Sequence, residues 1–112
     1  MPMATSTLGR WSDRITRAGE TIYPRPIEEL LQSDARIRFA AVVAVPDEAG
    51  EALPIAVVEL FDGAVGDAAE LERAYFAAGG DVRLGRVEVV AIMPMTPTGK
   101  LDKVALRLQF TA

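Results

Sequence analysis

Apolar residues fall into a few dense runs along the chain, and three of these runs predict the main strands of a sheet. Near-continuous apolar stretches are typical of buried strands. The three runs are residues 37–45 (IRFAAVVAV), 54–60 (PIAVVEL) and 87–93 (VEVVAIM). The turn-forming segment PDEAGE lies between the first two, so we expect those two strands to pair in antiparallel fashion.

Three further segments show the spacing of amphipathic helices. The first is predicted from Pro26 to Gln32, because proline suits the first turn of a helix and apolar residues recur there at i, i+3 and i+4. These apolar residues are Ile27, Leu30 and Leu31. Glu28 and Glu29 follow Pro26 closely, so we expect both to lie near the positive end of the helix dipole.

The other two helices lie in the second half of the chain. One is predicted from Asp67 to Ala78, between an aspartate that can cap its start and a Gly-Gly pair that ends it. Its apolar stripe consists of Leu71, Ala74, Tyr75 and Ala78. The last helix is predicted from Leu101 to Leu108. The apolar residues that it offers for packing are Val104, Leu106 and Leu108.

Polar and apolar residues alternate on both sides of Gly19, near the start of the chain. Residues 13–17 and 21–23 alternate in this way around Ala18-Gly19-Glu20, which predicts a short β-hairpin with Gly19 at its bend. The complete order is hairpin, helix, two strands, helix, strand, loop and helix. The sequence therefore predicts a small α+β domain: a three-stranded core sheet, helices packed against it and an N-terminal β-hairpin arm.

Length and composition limit the possible functions. The chain has 112 residues, enough for one small domain, which we expect at residues 9–112 after a flexible lead-in at 1–8. It has no cysteine and no histidine, which excludes a thiolate nucleophile and a Ser–His–Asp triad within it. Chemistry would have to use Lys, Arg, Asp, Glu, Tyr or backbone groups. No metal site is predicted, since the commonest metal ligands are missing.

Hydropathy and charge restrict the partners of the chain. The longest apolar run, Phe39 to Val45, is far shorter than the ~18 residues of a membrane span. The first residues do not resemble a secretory signal, so we expect no membrane partner and a cytoplasmic location. A net charge of −4 argues against nucleic acid as a partner.

Positive charge gathers toward the two ends of the chain. Residues 39–85 carry nine acids against two arginines, so the middle is acidic. The ends would form one cationic face if the fold brought them together. Ordinary solvated surface is the alternative, and composition alone favours it.

One loop, PMTPTGK at residues 94–100, presents a lysine and is called the Lys100 loop below. It is not the phosphate-binding P-loop GxxxxGK[ST], because Pro94 replaces the first glycine and Leu101 replaces the hydroxyl residue. Two interpretations stay open from the residues alone. Lys100 can be a solvated loop tip. Alternatively, two prolines stiffen the loop and Gly99 lets Lys100 approach anionic oxygens as a positioned cation.

Three separated motifs together resemble a known family. GRWSDRITRAGETIYPRPIEELL, AAVVAVPDEAGEALPIAVVEL and PMTPTGKLDKVALR occur in this order over about residues 8–108. This arrangement resembles the C-terminal domain of the adenylate-forming enzymes: AMP-forming acyl- and aryl-CoA synthetases, adenylation domains of nonribosomal peptide synthetases, and luciferases. The resemblance implies a mobile lid that works on a larger N-terminal domain.

The resemblance also implies roles for individual residues. In the first half-reaction a carboxylic acid and ATP form an acyl-adenylate, and Lys100 matches the lysine that the lid brings to this site. After the lid rotates, the hairpin around Gly19, with Ala18 and Glu20, would line a channel for a thiol. That thiol attacks the acyl group and AMP leaves. Arg10 matches an arginine that approaches the nucleotide.

Support and hinge positions are implied by the same resemblance. Thr96, Thr98 and Gly99 would hold the Lys100 loop in shape. The hinge falls on Ser12 and Asp13, where Ser12 departs from the family's usual Asp or Lys. A second departure is Pro26, where the family commonly has Glu, and its expected effect is on the start of the helix.

The resemblance also implies the cofactor and the partners of the chain. ATP and magnesium would be used by the complete enzyme, and this chain alone would bind neither tightly. Its expected partners are an N-terminal adenylating domain and CoA or the phosphopantetheine of a carrier protein. The chain can be a separate lid that acts in trans, a piece of a longer ligase, or a non-catalytic module that docks a carrier protein or partner enzyme.

Overall fold

The computed structural model describes residues 14–111. This part of the chain forms five strands and three helices, which confirms the predicted α+β class. In chain order they are β1 (Ile15–Arg17), β2 (Glu20–Ile22), α1 (Pro24–Gln32), β3 (Ile37–Pro46), β4 (Ala52–Leu60), α2 (Ala68–Ala77), β5 (Val87–Val90) and α3 (Lys103–Phe110). None of these helices is long and apolar enough to cross a membrane.

The core sheet has the order β3-β4-β5, and β1-β2 forms a separate hairpin. β3 and β4 pair in antiparallel fashion through the turn that joins Pro46 to Ala52, as the sequence predicts. β4 and β5 are parallel, because the connection between them passes through α2 and back to the same end of the sheet. β4 is therefore the central strand, and β3 and β5 are the two edges.

Alternation along the strands divides the core into two layers. One face of the sheet carries Ala40, Val42 and Val58 and packs against α1 and α2 through Leu31 and Tyr75. The other face of the sheet packs against α3. The buried residues of this second layer are Ala41, Val43, Val45, Ile55 and Val57 of the sheet, together with Met93 and Leu106. The sheet is thus covered on both faces, which explains why its strands are almost continuously apolar.

The bounds of α1 differ from the prediction. The helix begins at Pro24 rather than Pro26, and both prolines fit the first turn because the N–H groups there have no intrahelical partner. The prediction that Glu28 and Glu29 lie near the positive helix end is therefore wrong: no acidic residue lies in the first turn. The prediction for α2 holds within one residue at each end, and Asp67 forms a capping box with Glu70.

The predictions for the last strand and the last helix also need correction. β5 ends at Val90 rather than Met93, because Met93 donates its N–H to the carboxylate of Glu59 and leaves the strand ladder. α3 starts at Lys103 rather than Leu101, since the side chain of Asp102 caps its start. Of the three apolar residues predicted for packing, only Leu106 is buried, whereas Val104 and Leu108 are exposed.

Candidate functional site

The Lys100 loop is a tight turn closed by its own backbone. The N–H of Gly99 donates to the carbonyl of Thr96 over 2.9 Å, and the N–H of Thr96 donates to the carbonyl of Lys100 over 2.7 Å. Pro97 occupies the second position of this turn, where its fixed φ is favourable. Gly99 has φ +87°, a left-handed conformation that glycine adopts at little cost. The sequence TPTG thus specifies this turn locally.

Threonine hydroxyls add further contacts inside the loop. The Oγ1 of Thr96 accepts a hydrogen bond from the N–H of Lys100 over 3.2 Å and lies 2.9 Å from the Oγ1 of Thr98. At the base of the loop, the N–H of Asp102 donates to the carbonyl of Pro94. Together these bonds fix the backbone that carries Lys100.

The Lys100 side chain is exposed at the end of this turn. Within residues 14–111, no ion pair joins its ammonium group to a carboxylate. A compact cation with three N–H donors can bind carboxylate or phosphate oxygens that gain charge during a reaction.

Two carboxylates hold the chain on either side of the Lys100 loop. Before the loop, the Oε1 of Glu59 on β4 accepts the N–H of Met93 over 2.6 Å. After the loop, the Oε2 of Glu28 on α1 lies 2.7 Å from the Nζ of Lys103. Neither role is predicted from the sequence. Glu28 directly follows a buried apolar residue, Ile27, and this position at the border of the apolar stripe was the available signal.

The hairpin of β1 and β2 contains the second predicted site segment. Its turn has two central residues, Ala18 with φ +52° and Gly19 with φ +81°, between the paired residues Arg17 and Glu20. Two positive φ angles are the requirement of the tight turn that suits twisted hairpins. A Cβ atom built on Gly19 would meet nothing within 4 Å, so Gly19 lies at an open surface.

Polar contacts attach this hairpin to the turn between β3 and β4. The guanidinium of Arg17 donates to the carboxylate of Asp47 over 2.8 Å and to the carbonyl of Ala52 over 2.9 Å. The N–H of Ala18 donates to the carboxylate of Glu51 over 2.8 Å. The hydrogen bond from Arg17 lowers the pKa of Asp47 below its ordinary value of 3.8, and a backbone N–H from Glu51 acts in the same direction.

A groove of about 1040 Å³ begins at the hairpin turn. Its walls come from the hairpin, from α2 and from the segment before β5, and they carry charges of both signs. The charged residues in the walls are Arg17, Glu20, Glu72, Arg73, Asp81 and Arg83. An open groove with apolar and charged walls can accept a long, partly polar ligand.

The two site segments are attached at opposite ends of the central strand. The hairpin contacts Ala52 at the start of β4, and the Lys100 loop is held by Glu59 near its end. These two residues are roughly 23 Å apart at the usual rise per residue of a strand. The structure therefore does not bring Lys100 and Gly19 into one site. The other predicted residues, Arg10, Ser12 and Asp13, lie outside the described residues.

A family model described as "AMP-binding enzyme C-terminal domain" matches residues 26–100 of the chain. Among curated proteins, the chain is 42% identical over 103 residues to a salicyl-AMP ligase / salicyl-S-ArCP synthetase of Mycobacterium tuberculosis. It is 38% identical over 101 residues to a marinolic acid–CoA ligase of a Pseudoalteromonas strain. Each match covers 88% of this chain but only 18% and 15% of the respective relative.

A solved structure with the same fold is the amide bond synthetase McbA from Marinactinospora thermotolerans. Its TM-score to this chain is 0.78 at 38% sequence identity. The match covers 89% of this chain and 20% of that protein. The chain thus spans about a fifth of the length of these relatives.

Proposed function

Because the chain belongs to the AMP-binding enzyme C-terminal domain family, we propose that it is the lid of an ATP-dependent, AMP-forming carboxylic acid ligase. The lid presents Lys100 to an active site on an adenylating domain. The observation that carries this proposal is the exposed Lys100, held on a hydrogen-bonded turn and without an ion pair among residues 14–111.

In the proposed first step, Lys100 acts on developing charge. An oxygen of the acid carboxylate attacks the α-phosphorus of ATP, the bond to pyrophosphate breaks, and an acyl-adenylate forms. Negative charge grows on phosphate oxygens in the transition state, and a cation already held in place stabilises it without reorganisation. The fit of Lys100 to this task rests on its free ammonium donors and its fixed backbone.

In the proposed second step, the hairpin faces the acceptor. The thiol sulfur attacks the acyl carbon, the bond to the phosphate oxygen breaks, and AMP leaves. Ala18, next to Gly19 in the turn, lines a groove of about 1040 Å³, which has room for a phosphopantetheine arm. The absence of a side chain on Gly19 leaves that approach open.

The names of the relatives indicate different acceptors. One relative is named as a salicyl-AMP ligase with an ArCP thioester product, another as a CoA ligase, and a third as an amide bond synthetase. We propose CoA or a carrier-protein phosphopantetheine as the acceptor for this chain. ATP with magnesium and the acid would be bound mainly by the adenylating domain.

A chimera tests this proposal directly. This chain would replace the matching segment of the Mycobacterium tuberculosis salicyl-AMP ligase, and pyrophosphate release would be measured with ATP and salicylate. We expect the chimera to be active and Lys100→Ala to lower the rate by about 10²–10³-fold, the usual effect of removing one transition-state donor. Arg107→Ala, which removes an exposed cation from α3, serves as the matched control and should leave the rate unchanged.

The same experiment decides against a catalytic lid if Lys100→Ala and Arg107→Ala behave alike in an active chimera. In that case the domain would be a module that docks a carrier protein or partner enzyme. An inactive chimera, beside an active enzyme that keeps its own segment, also contradicts the proposed function.

A further inference from the structure

We propose that Glu28 is a positioning residue for Lys100. Its carboxylate holds the start of α3 against α1 and the edge of the sheet, and so fixes the end of the Lys100 loop. The effect on the loop is a property of this chain alone, while its effect on adenylation rests on the function proposed above.

One oxygen of Glu28 connects three elements. Its Oε2 lies 2.7 Å from the Nζ of Lys103 at the start of α3 and accepts the N–H of Val42 on β3 over 2.9 Å. Since β3 is an edge strand, the N–H of Val42 points away from the ladder with β4 and is available to a side chain. Glu28 thus joins α1, β3 and α3, which come from the two sides of the sheet.

This ion pair is more protected than an ordinary surface pair. The side chains of Glu28 and Lys103 are only 17% and 19% exposed. On the same helix, Arg25 and Glu29 pair over 3.3 Å while 61% and 65% exposed. Exposed pairs contribute little to stability, whereas removing the largely buried Glu28 carboxylate takes away the hydrogen-bond acceptor of the Val42 N–H.

The Glu28–Lys103 pair is expected to affect the Lys100 loop because Lys103 lies close to Lys100 in the chain. Lys103 follows Lys100 by three residues, and the other side of the loop is held where Glu59 accepts the N–H of Met93. Polar contacts therefore hold the loop at two points, one on β4 and one through Glu28, in addition to the packing of Leu106 in the core. If the second point is lost, the loop can open from its base, where the N–H of Asp102 donates to the carbonyl of Pro94, and the hydrogen bonds of the turn around Gly99 lose that support.

Amide hydrogen exchange of the chain tests this inference without any catalytic assay. We expect Glu28→Gln to accelerate exchange of the Gly99, Lys100 and Asp102 amides by about tenfold, as a local opening does, while central β4 amides stay unchanged. Lys103→Met should give the same pattern, and Lys103→Arg should restore protection because it keeps the charge. Glu29→Gln, one residue away on α1, is the matched control and should change neither group of amides.

Two results would overturn the inference. Equal acceleration in β4 and in the loop would mean that Glu28 contributes only to global stability. Unchanged loop exchange in both Glu28→Gln and Lys103→Met would mean that the pair does not hold the loop.

The chimera described above then measures the catalytic consequence. Glu28→Gln should slow pyrophosphate release with little change in the KM for salicylate, and should leave thioester formation from preformed acyl-adenylate unchanged. Equal loss in both steps would contradict a positioning role toward Lys100. If Lys100→Ala is itself without effect, the proposed function fails, and the exchange experiment still decides whether Glu28 holds the loop.

Discussion

Gly99, which directly precedes Lys100, has a left-handed backbone conformation and lies at an open surface. At φ +87°, a Cβ atom at this position would contact nothing within 4 Å. A side chain here would therefore cost backbone strain without a steric clash. Any effect of a substitution on function would come from the altered path of the chain next to Lys100.

We expect Gly99→Ala to lower the free energy of unfolding by about 1 kcal/mol, the cost of a left-handed alanine. It should also slow pyrophosphate release by the chimera. Gly63→Ala is the matched control, because Gly63 has φ +83° and equally open surroundings in another loop. Urea denaturation should give similar losses of stability for both variants, and equal rates of pyrophosphate release would contradict the role of Gly99.

Single residues also show what sequence reasoning can and cannot reach. The turn at Pro97 and Gly99 was predictable, because proline and glycine determine backbone angles locally. Glu28 was not, since its role depends on Val42 and Lys103, which approach it only in the fold. From the sequence alone, Glu28 differs from Glu29 only in that it directly follows the apolar Ile27, and this position names neither of its two partners.

Among the elements of the fold, the β1–β2 hairpin is attached to the turn between β3 and β4 through the carboxylate of Asp47. The pKa of Asp47 is lowered by the hydrogen bond from Arg17, so the folded state favours the ionised form. The contribution of the Asp47 carboxylate to the stability of the folded state is therefore fully present above its ordinary pKa of 3.8. This contribution is lost as the pH falls through the lower pKa that Asp47 has in the folded protein. Acid should release the hairpin from the turn between β3 and β4.

We expect the exchange protection of the Ala18 amide to fall as the pH is lowered below about 3.8, after correction for the intrinsic pH dependence of exchange. Asp47→Asn should reduce that protection already at neutral pH, because the charged partner of Arg17 is lost. Asp62→Asn, which changes an exposed aspartate elsewhere, is the control. Protection that is identical in Asp47→Asn and the parent chain at neutral pH would exclude this attachment.

The helix α3 contains two leucines that differ in burial, and this difference could not be predicted from the sequence. Leu106 is 0% exposed in the second core layer, whereas Leu108 is 74% exposed. The prediction placed both among residues for packing, because a helix of eight residues has too few positions for its buried side to be read from periodicity. The observed start at Lys103, set by the Asp102 cap, fixes which side faces the sheet.

Leu106→Ala should lower the free energy of unfolding by about 2–5 kcal/mol, because a filled core site becomes a cavity. Leu108→Ala should change it by less than about 0.5 kcal/mol, as an exposed substitution does. Urea denaturation followed by circular dichroism measures both. Similar losses for the two variants would mean that α3 does not pack with Leu106 inward.

At the scale of the whole molecule, the central strand β4 separates two segments with different proposed tasks. The hairpin attaches near Ala52, and the Lys100 loop is held at Glu59. The fold class and the antiparallel pair were predictable because long apolar runs determine them. The parallel addition of β5 was not, since strand order depends on how α2 packs across the sheet.

This separation predicts that the two proposed steps can be impaired one at a time. In the chimera, Gly19→Leu should reduce thioester formation far more than pyrophosphate release, because the added side chain extends from the turn in which Ala18 and Glu20 line the groove. Gly63→Leu, at a similar φ of +83°, controls for backbone strain. Equal damage to both steps by Gly19→Leu would contradict the assignment of two separate faces.

The position of α1 beside β3 also leaves less of this edge strand open to pairing with another chain. Edge strands offer unpaired backbone groups on which another chain can add a strand, the first step toward aggregates. Here Glu28 accepts the N–H of Val42, and Gln32, one helical turn later, donates to the carbonyl of Arg38. Two side chains of α1 thus occupy two of the backbone groups that a foreign strand would need in order to pair with the apolar β3.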